Sequence, residues 1–368
     1  MRNRLSFLLL SGALLARVTV ASDERSQSPE ITLPMRSIAC PDRPVDSLQA
    51  FPTGSRIVAL TPNECLILDA SSGIVARTEG LQPTCCALSP SGKEIAIASD
   101  ESSSTYRSGP LLIRDGGRVS RNVGGTVHIL STMTGESLRS FPAASYKISA
   151  LAYTPDGKDL ATASARVTQK PDAGGGWTAT ATEGEVVLWD PTNGIEKGRF
   201  MGQESFVNAL AFSATGRLLA AAGYRPQHVM LWDVMTRRQA GLLTHSCREI
   251  KCLAFAKHDA VVVGASYGGG LQIWDIETKT HLATISTKEC KSIAVSPDGS
   301  RILAAEDGGG ARLWSLDTHA CLATWTKEQT GWAMSVAFTS DGKYLAIGGD
   351  DGVVRIWSES AKGSSQPK

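Results

Sequence analysis

The sequence lacks an excess of charge of either sign. Its 368 residues carry 37 Lys and Arg against 36 Asp and Glu, a net charge of +1. General nucleic-acid and membrane-surface binders need a basic field that releases counterions or attracts anionic lipid. The balance therefore predicts no nucleic-acid partner, while a hydrophobic content of 42% excludes a disordered chain.

Long apolar runs are also lacking, except at the N-terminus. A basic start at Met1–Arg4 precedes a short apolar run, Leu5–Ala16, and small residues follow before Ser22. This order is typical of a secretory signal peptide, and the run is too short to span a bilayer comfortably. We predict a signal peptide at 1–21, a linker at 22–29, an exported protein (periplasmic or secreted) and no membrane span after cleavage. An uncleaved, membrane-anchoring signal is the alternative.

Metal and redox motifs are missing as well. None of the eight cysteines is spaced C-x-x-C, and the six histidines are scattered singly. We therefore predict no metal site and no cofactor. Disulfides are permitted in an exported chain but not required. Cys85 and Cys252 fall at a repeat position otherwise held by Ala or Ser, which indicates a small, buried apolar group.

What the sequence does contain is a repeat. Five segments end in a tryptophan followed by Asp or Ser, and each tryptophan follows the previous one by 40 to 43 positions: Trp189, Trp232, Trp274, Trp314 and Trp357. Two weaker copies upstream have Leu68 and Leu130 in place of the tryptophan, and their units are longer. Turns of the S-P-D-G type run in phase in six of seven units, and the exception is Ala256–Asp259. Short alternating runs between these markers predict about four strands per unit.

These markers resemble those of WD repeats, which form β-propellers. The resemblance covers residues 30–358 and implies an all-β, seven-bladed propeller of four-stranded blades. The recurring tryptophans should occupy the third strand and fill the wedge between blades. The residues after Trp357 are polar and unsuited to a fourth strand, and we expect 359–368 to be disordered. The alternating segment Glu30–Met35 should therefore close the ring as the outer strand of the last blade.

The sequence departs from the family in its buried polar network. Strong WD repeats carry a Gly-His pair and an Asp that join in hydrogen bonds, whereas here Gly202–Gln203 replaces the pair in one unit. Asp351 stands where the family expects it, but most other units lack the residue. Blade stability should therefore rest on apolar packing.

Two insertions, 100–126 and 165–184, lie between the second strand and the tryptophan strand of units two and three. In WD-repeat propellers this loop emerges on the top face, the usual partner-binding side. Loops on rigid scaffolds serve binding, and aromatic or Arg anchors dominate hot spots. The candidate anchors are Tyr106, Leu112, Arg114 and Trp177. The alternative is that these loops merely pack on the blade tops.

The family also lines the channel mouth with a residue near the start of each inner strand. Here these positions are Asp46, Thr84, Ser149, Asn208, Lys251, Lys291 and Met334. Lys251 and Lys291, with Arg248 and Lys288 nearby, suggest a positive rim for an acidic peptide or anionic ligand. A set of solvated lysines is the alternative.

We predict a non-enzymatic, monomeric scaffold that binds a protein or peptide on its top face, because the propeller uses the whole chain. The alternative is a propeller enzyme or small-ligand sensor with a site in the central channel. Such a site needs converging carboxylates or histidines, and of the seven mouth positions only Asp46 is acidic.

Overall fold

The computed structural model describes most of residues 34–359. The described ranges are 34–100, 112–113, 125–144, 147–171, 177–203, 206–224, 228–244, 247 and 249–359. The predicted signal peptide, the linker and residues 360–368 lie outside them. Glu359 is described, and its carboxylate pairs with Arg301 (2.5 Å), so ordered contacts extend one residue past the predicted boundary at 358.

The chain forms seven antiparallel sheets, the blades of the propeller. In six of them the main strands follow the order of the sequence, and in the seventh the outermost strand is the first strand of the described chain. Blade 1 contains β2 (Ser47–Ala50), β3 (Arg56–Leu60), β4 (Glu64–Asp69) and β5 (Gly73–Glu79). Blade 2 contains β6 (Pro83–Leu88), β7 (Glu94–Asp100), β9 (Gly125–Ser131) and β10 (Ser137–Pro142). Blade 3 contains β11 (Ile148–Tyr153), β12 (Leu160–Pro171), β13 (Trp177–Asp190) and β14 (Ile195–Phe200), with β8 (Leu112–Ile113) paired to β13.

The remaining blades repeat this order. Blade 4 contains β15 (Val207–Phe212), β16 (Leu218–Gly223), β17 (His228–Asp233) and β18 (Gln239–Thr244). Blade 5 contains β19 (Ile250–Ala256), β20 (Val261–Ser266), β21 (Gly270–Asp275) and β22 (His281–Ile285). Blade 6 contains β23 (Cys290–Val295), β24 (Arg301–Glu306), β25 (Gly310–Ser315) and β26 (Cys321–Thr326), followed by helix α1 (Lys327–Thr330). Blade 7 contains β27 (Ala333–Phe338), β28 (Tyr344–Gly349), β29 (Val353–Ser358) and β1 (Arg36–Ala39). The predicted seven-bladed, all-β propeller is confirmed.

An N-terminal strand closes the ring, but it lies later in the chain than expected. β1 begins at Arg36 and pairs antiparallel with β29, whereas we predicted Glu30–Met35. Ile38 is the buried side chain of this strand, in one core cluster with Val354 and Ile356. The backbone N–H of Cys40 then donates to Gly352 (2.7 Å), which carries the pairing past the end of β1. These contacts fix the register at 36–39, and Glu30–Leu33 lie outside the described residues.

The recurring tryptophans lie on the third strand of their blades, as predicted, and are at most 9% exposed. The indole N–H groups of Trp232 and Trp274 donate to the backbone carbonyls of Met201 (3.1 Å) and Thr244 (2.8 Å). Those of Trp314 and Trp357 are buried with no hydrogen-bond partner among the described residues. The polar network is therefore incomplete, and apolar packing between blades has to stabilise the ring.

Other residues take over the positions of the missing network. Gln203, in the place of the family's histidine, is buried and donates to the carbonyl of Ala221 (3.4 Å). Asp351 instead accepts two hydrogen bonds from the guanidinium of Arg355 (3.2 and 2.5 Å). These contacts hold each residue within its own blade.

The eight cysteines all lie within the described residues and form no disulfides. Burial raises the pKa of Cys85 to about 12 and that of Cys252 to about 11. Their side chains pack against the cores as partly buried groups, and the Cys252 thiol donates to the carbonyl of Lys291 (3.2 Å). Both therefore act as small packing groups, although neither is fully buried.

The turn of blade 5 differs from the S-P-D-G turns, as the sequence indicated. Lys257, His258 and Asp259 all have positive φ (50°, 54° and 67°), a conformation that costs non-glycine residues free energy. The Asp259 carboxylate accepts hydrogen bonds from the backbone N–H groups of Ala214 (2.6 Å) and Thr215 (3.0 Å). The turn is thereby clamped to blade 4.

In the S-P-D-G turn of blade 6, Asp298 accepts hydrogen bonds from the Ser296 hydroxyl and from the backbone N–H of Ser300 (3.1 Å). Mainly the Ser296 contact lowers the pKa of Asp298 from 3.8 to about 2. The folded state therefore stabilises the ionised carboxylate more than the unfolded chain does. This contribution to the free energy of unfolding is present above pH 4 and is lost as the pH falls toward 2.

We expect the free energy of unfolding to decline less steeply between pH 4 and pH 2 in Asp298→Asn than in the wild type. Urea titrations across this range measure the difference. Glu277→Gln, on an exposed turn of blade 5, is the control and should keep the wild-type slope. Identical slopes in all three proteins would contradict the role of the turn.

Candidate functional site

The sheet topology defines one face of the propeller. The segments that enter each inner strand and those that join the second to the third strand lie at the same end of the antiparallel blades. We call this end the top face. Both insertions and all seven predicted mouth positions belong to it.

The second insertion is a hairpin rather than a loose loop. β12 and β13 extend together to Pro171 and Trp177, far beyond the other blades' strands. The insertion contains four threonines, whose β-branched side chains suit an extended strand pair: Thr168, Thr178, Thr180 and Thr182. Trp177, one of the predicted anchors, therefore lies in a strand.

The two insertions meet. β8, from the insertion of blade 2, pairs antiparallel with β13, with Ile113 opposite Trp177 and Leu112 opposite Thr178. Two of the predicted anchors, Leu112 and Trp177, are thus brought into one small sheet. Tyr106 and Arg114 lie outside the described residues.

The predicted mouth residues mostly join neighbouring blades. The hydroxyl of Thr84 donates to the carbonyl of Ile148 (2.9 Å) in blade 3, and the hydroxyl of Ser149 donates to the carbonyl of Val207 in blade 4. The Lys291 ammonium contacts the sulfur of Met334 (3.5 Å) in blade 7. These side chains stabilise the ring, and their hydrogen-bonding capacity is largely used within it.

Asp46, the acidic mouth position, is exposed. Partial loss of hydration raises its pKa, and the positive charge of Lys147, from the segment entering blade 3, opposes that effect.

The predicted positive rim is not formed by Lys251 and Lys291. The Lys251 ammonium is bound to the carboxylate of Glu289, and that of Lys291 lies 3.5 Å from Asp307. Lys288 is exposed, and Arg248 lies outside the described residues. This neutralisation could not be predicted from the sequence, because the carboxylates of Glu289 and Asp307 reach the two lysines only in the folded ring.

A second set of top-face residues was not predicted. In blades 4 to 7, the residue after the second strand donates its backbone N–H to the carbonyl of the residue before the inner strand. The pairs are Tyr224 with Phe206 (3.1 Å), Tyr267 with Glu249 (2.9 Å), Asp307 with Glu289 (2.6 Å) and Asp350 with Trp332 (2.9 Å). We call these eight residues the aromatic–acidic rim. The sequence signal for this rim was that its residues recur at the same two positions of each of these repeats. These positions lie just outside the strands, where the repeat pattern carried no functional prediction.

Among the residues whose side-chain burial the structure describes, every exposed Phe, Tyr or Trp lies on the rim. Phe206, Tyr224, Tyr267 and Trp332 are 37–45% exposed, whereas the repeat tryptophans are at most 9% exposed. The Lys251 ammonium lies 5.1 Å from the ring centre of Tyr267, and that of Lys327 lies 4.2 Å from the ring of Trp332. The rim therefore offers aromatic faces beside charged groups.

The opposite end carries a cavity of about 500 Å³ below blades 4 to 6. Its lining includes Phe212, Phe255, Pro297 and the clamped turn with His258. Among the described residues, no three His, Cys, Asp or Glu side chains are grouped as a metal site would require.

The fold and the top face define a seven-bladed β-propeller with the architecture of a protein-interaction scaffold. Residues 319–358 match the family described as WD domain, G-beta repeat. Residues 178–328 match the family described as eukaryotic translation initiation factor eIF2A. Together with the seven repeated sheets, these matches support a WD-repeat family.

Curated relatives share parts of the chain. It is 30% identical over 113 residues to the U3 snoRNP-associated protein-like EMB2271 of Arabidopsis thaliana, covering 29% of this chain and 23% of that protein. It is 25% identical over 183 residues to the small ribosomal subunit protein RACK1y of Oryza sativa subsp. japonica, covering 48% and 42%. It is 29% identical over 123 residues to the protein transport protein SEC31 of Dictyostelium discoideum, covering 28% and 9%. The matches thus span less than half of each relative. The described residues hold no helix suited to crossing a membrane.

Proposed function

We propose that this propeller binds a protein or peptide partner on its top face. Two of the matched relatives are named as parts of assemblies, a small ribosomal subunit protein and a snoRNP-associated protein, which supports a role in binding other proteins. A propeller suits this role because a rigid ring holds many loops at one end.

The distribution of exposed aromatic residues is the observation that carries the proposal. All four lie on the aromatic–acidic rim, and large aromatic side chains dominate the binding energy of protein interfaces. The hairpin of blade 3, joined by β8, stands on the same face. A partner lying across the ring would contact both.

Affinity purification from the source cells tests the proposal with two variants. One shortens the hairpin by replacing residues 166–182 with a short turn, and the other is Tyr267→Ala. Each should recover at least about tenfold less partner than the wild type, which corresponds to 1.4 kcal/mol.

The matched control is Met235→Ser, because Met235 is 91% exposed on a turn at the opposite end of blade 4. This variant should recover as much partner as the wild type. Undiminished recovery with both top-face variants, or a loss only with Met235→Ser, would move the binding surface elsewhere.

A further inference from the structure

We propose that Tyr224, Glu249 and Tyr267 of the aromatic–acidic rim bind a lysine or arginine side chain of a basic peptide. This inference rests on the proposed function and specifies the chemistry of the partner. It reverses the anionic ligand that the sequence suggested, because the acids beside the lysines were not visible in the repeat pattern.

The backbone holds these three residues together. Tyr224 and Glu249 form an isolated antiparallel bridge between blades 4 and 5. The N–H of Tyr267 donates to the carbonyl of the same glutamate (2.9 Å). Glu249 therefore lies between two tyrosines that are 42% and 45% exposed, and backbone hydrogen bonds join it to both.

The Glu249 side chain is oriented but not neutralised by its hydrogen bond. The amide of Asn208, one of the predicted mouth residues, donates to the Glu249 carboxylate (2.7 Å). An amide carries no charge, so the carboxylate keeps its own. The nearby Lys251 ammonium is bound to Glu289 instead.

The described side chains of this cluster thus comprise two carboxylates, Glu249 and Glu289, and one ammonium, Lys251. Burial acts to lower the pKa of Lys251, yet contacts with Glu289 and the charge of Glu249 raise it overall. The surroundings of the Lys251 ammonium therefore favour a positive charge at that position. Arg225 and Arg248 lie outside the described residues.

The rim already places its own ammonium groups against aromatic rings. Lys251 lies over Tyr267, and Lys327 lies over Trp332. Attraction between a cation and the face of an aromatic ring strengthens binding by about two- to thirtyfold. A basic side chain from a partner would meet the same combination of ring and carboxylate at Tyr224 and Glu249.

The test measures binding of fluorescein-labelled hexalysine to the full chain by anisotropy, with hexaglutamate as the opposite probe. We expect hexalysine alone to bind. Glu249→Gln, Tyr224→Ala and Tyr267→Ala should each weaken it, by about five- to tenfold for the charge change. Lys251→Met should tighten it, because the competing internal cation is removed. Thermal midpoints within a few degrees of the wild type establish that each variant is folded.

Glu277→Gln is the matched control, since it removes the same charge from an exposed turn at the opposite end. Equal weakening by Glu277→Gln and Glu249→Gln would indicate charge attraction without a site and overturn the proposal. Absence of hexalysine binding, or preference for hexaglutamate, would also overturn it. If partner recovery still depends on the hairpin in that case, the scaffold function stands and only the cationic specificity is wrong.

Discussion

Replacing Trp232 by alanine should lower the free energy of unfolding by about 3–5 kcal/mol. The side chain is fully buried in a core cluster shared by blades 3 and 4. Its ring centre lies 5.4 Å from that of Phe200, and its N–H holds the carbonyl of Met201 (3.1 Å). Removing it leaves a cavity between blades as well as an unpaired carbonyl. Equilibrium urea unfolding monitored by circular dichroism measures the loss.

Trp332→Ala is the control for this experiment. Trp332 is 37% exposed on the top face, so its removal should change stability by less than about 1 kcal/mol. If Trp232→Ala and Trp332→Ala were equally stable, the wedge between blades could not be the main source of ring stability.

Deleting Arg36–Ala39 should produce the second large effect, a sharp fall of the thermal midpoint together with aggregation. Without β1, the outer edge of β29 is unpaired and the apolar side chains of Val354 and Ile356 are uncovered. An open apolar edge strand is a template for pairing with other chains. Differential scanning fluorimetry and light scattering follow the two consequences.

A pair of point variants separates closure from simple truncation. Ile38→Asp places a charge in the buried position of β1, while Ser37→Asp adds the same charge on its exposed face. The first should cost at least about 3 kcal/mol and the second less than about 1 kcal/mol. Equal midpoints for these two variants would show that β1 does not close the ring in solution.

The repeat positions of the sequence predicted most of the fold. A tryptophan every 40 to 43 residues and a turn in phase with it give the blade count, since each four-stranded unit must bury its faces against neighbours. The closing strand was misplaced because the alternation in Glu30–Met35 is only a local signal. The position of the strand is set by the pairing of Ile38 with blade 7, more than 300 residues away in the chain.

The candidate site was predicted only in part. Leu112 and Trp177 were expected on the top face, but their shared sheet depends on pairing between two insertions that no local pattern encodes. Lys251 was interpreted as a free cation because Glu289 lies 38 residues later and reaches it only when blade 6 packs on blade 5.

The sequence by itself determined the number of blades, the tryptophans that fill the wedges and the end of the ring where loops gather. The blade count follows from local periodicity, because a repeated unit folds in the same way wherever it stands, and the other two follow from the resemblance to WD repeats. The tertiary structure alone decided which strand closes the ring and which charges on the top face remain after neighbours pair. Both depend on contacts between blades, and such contacts exist only once the ring has formed.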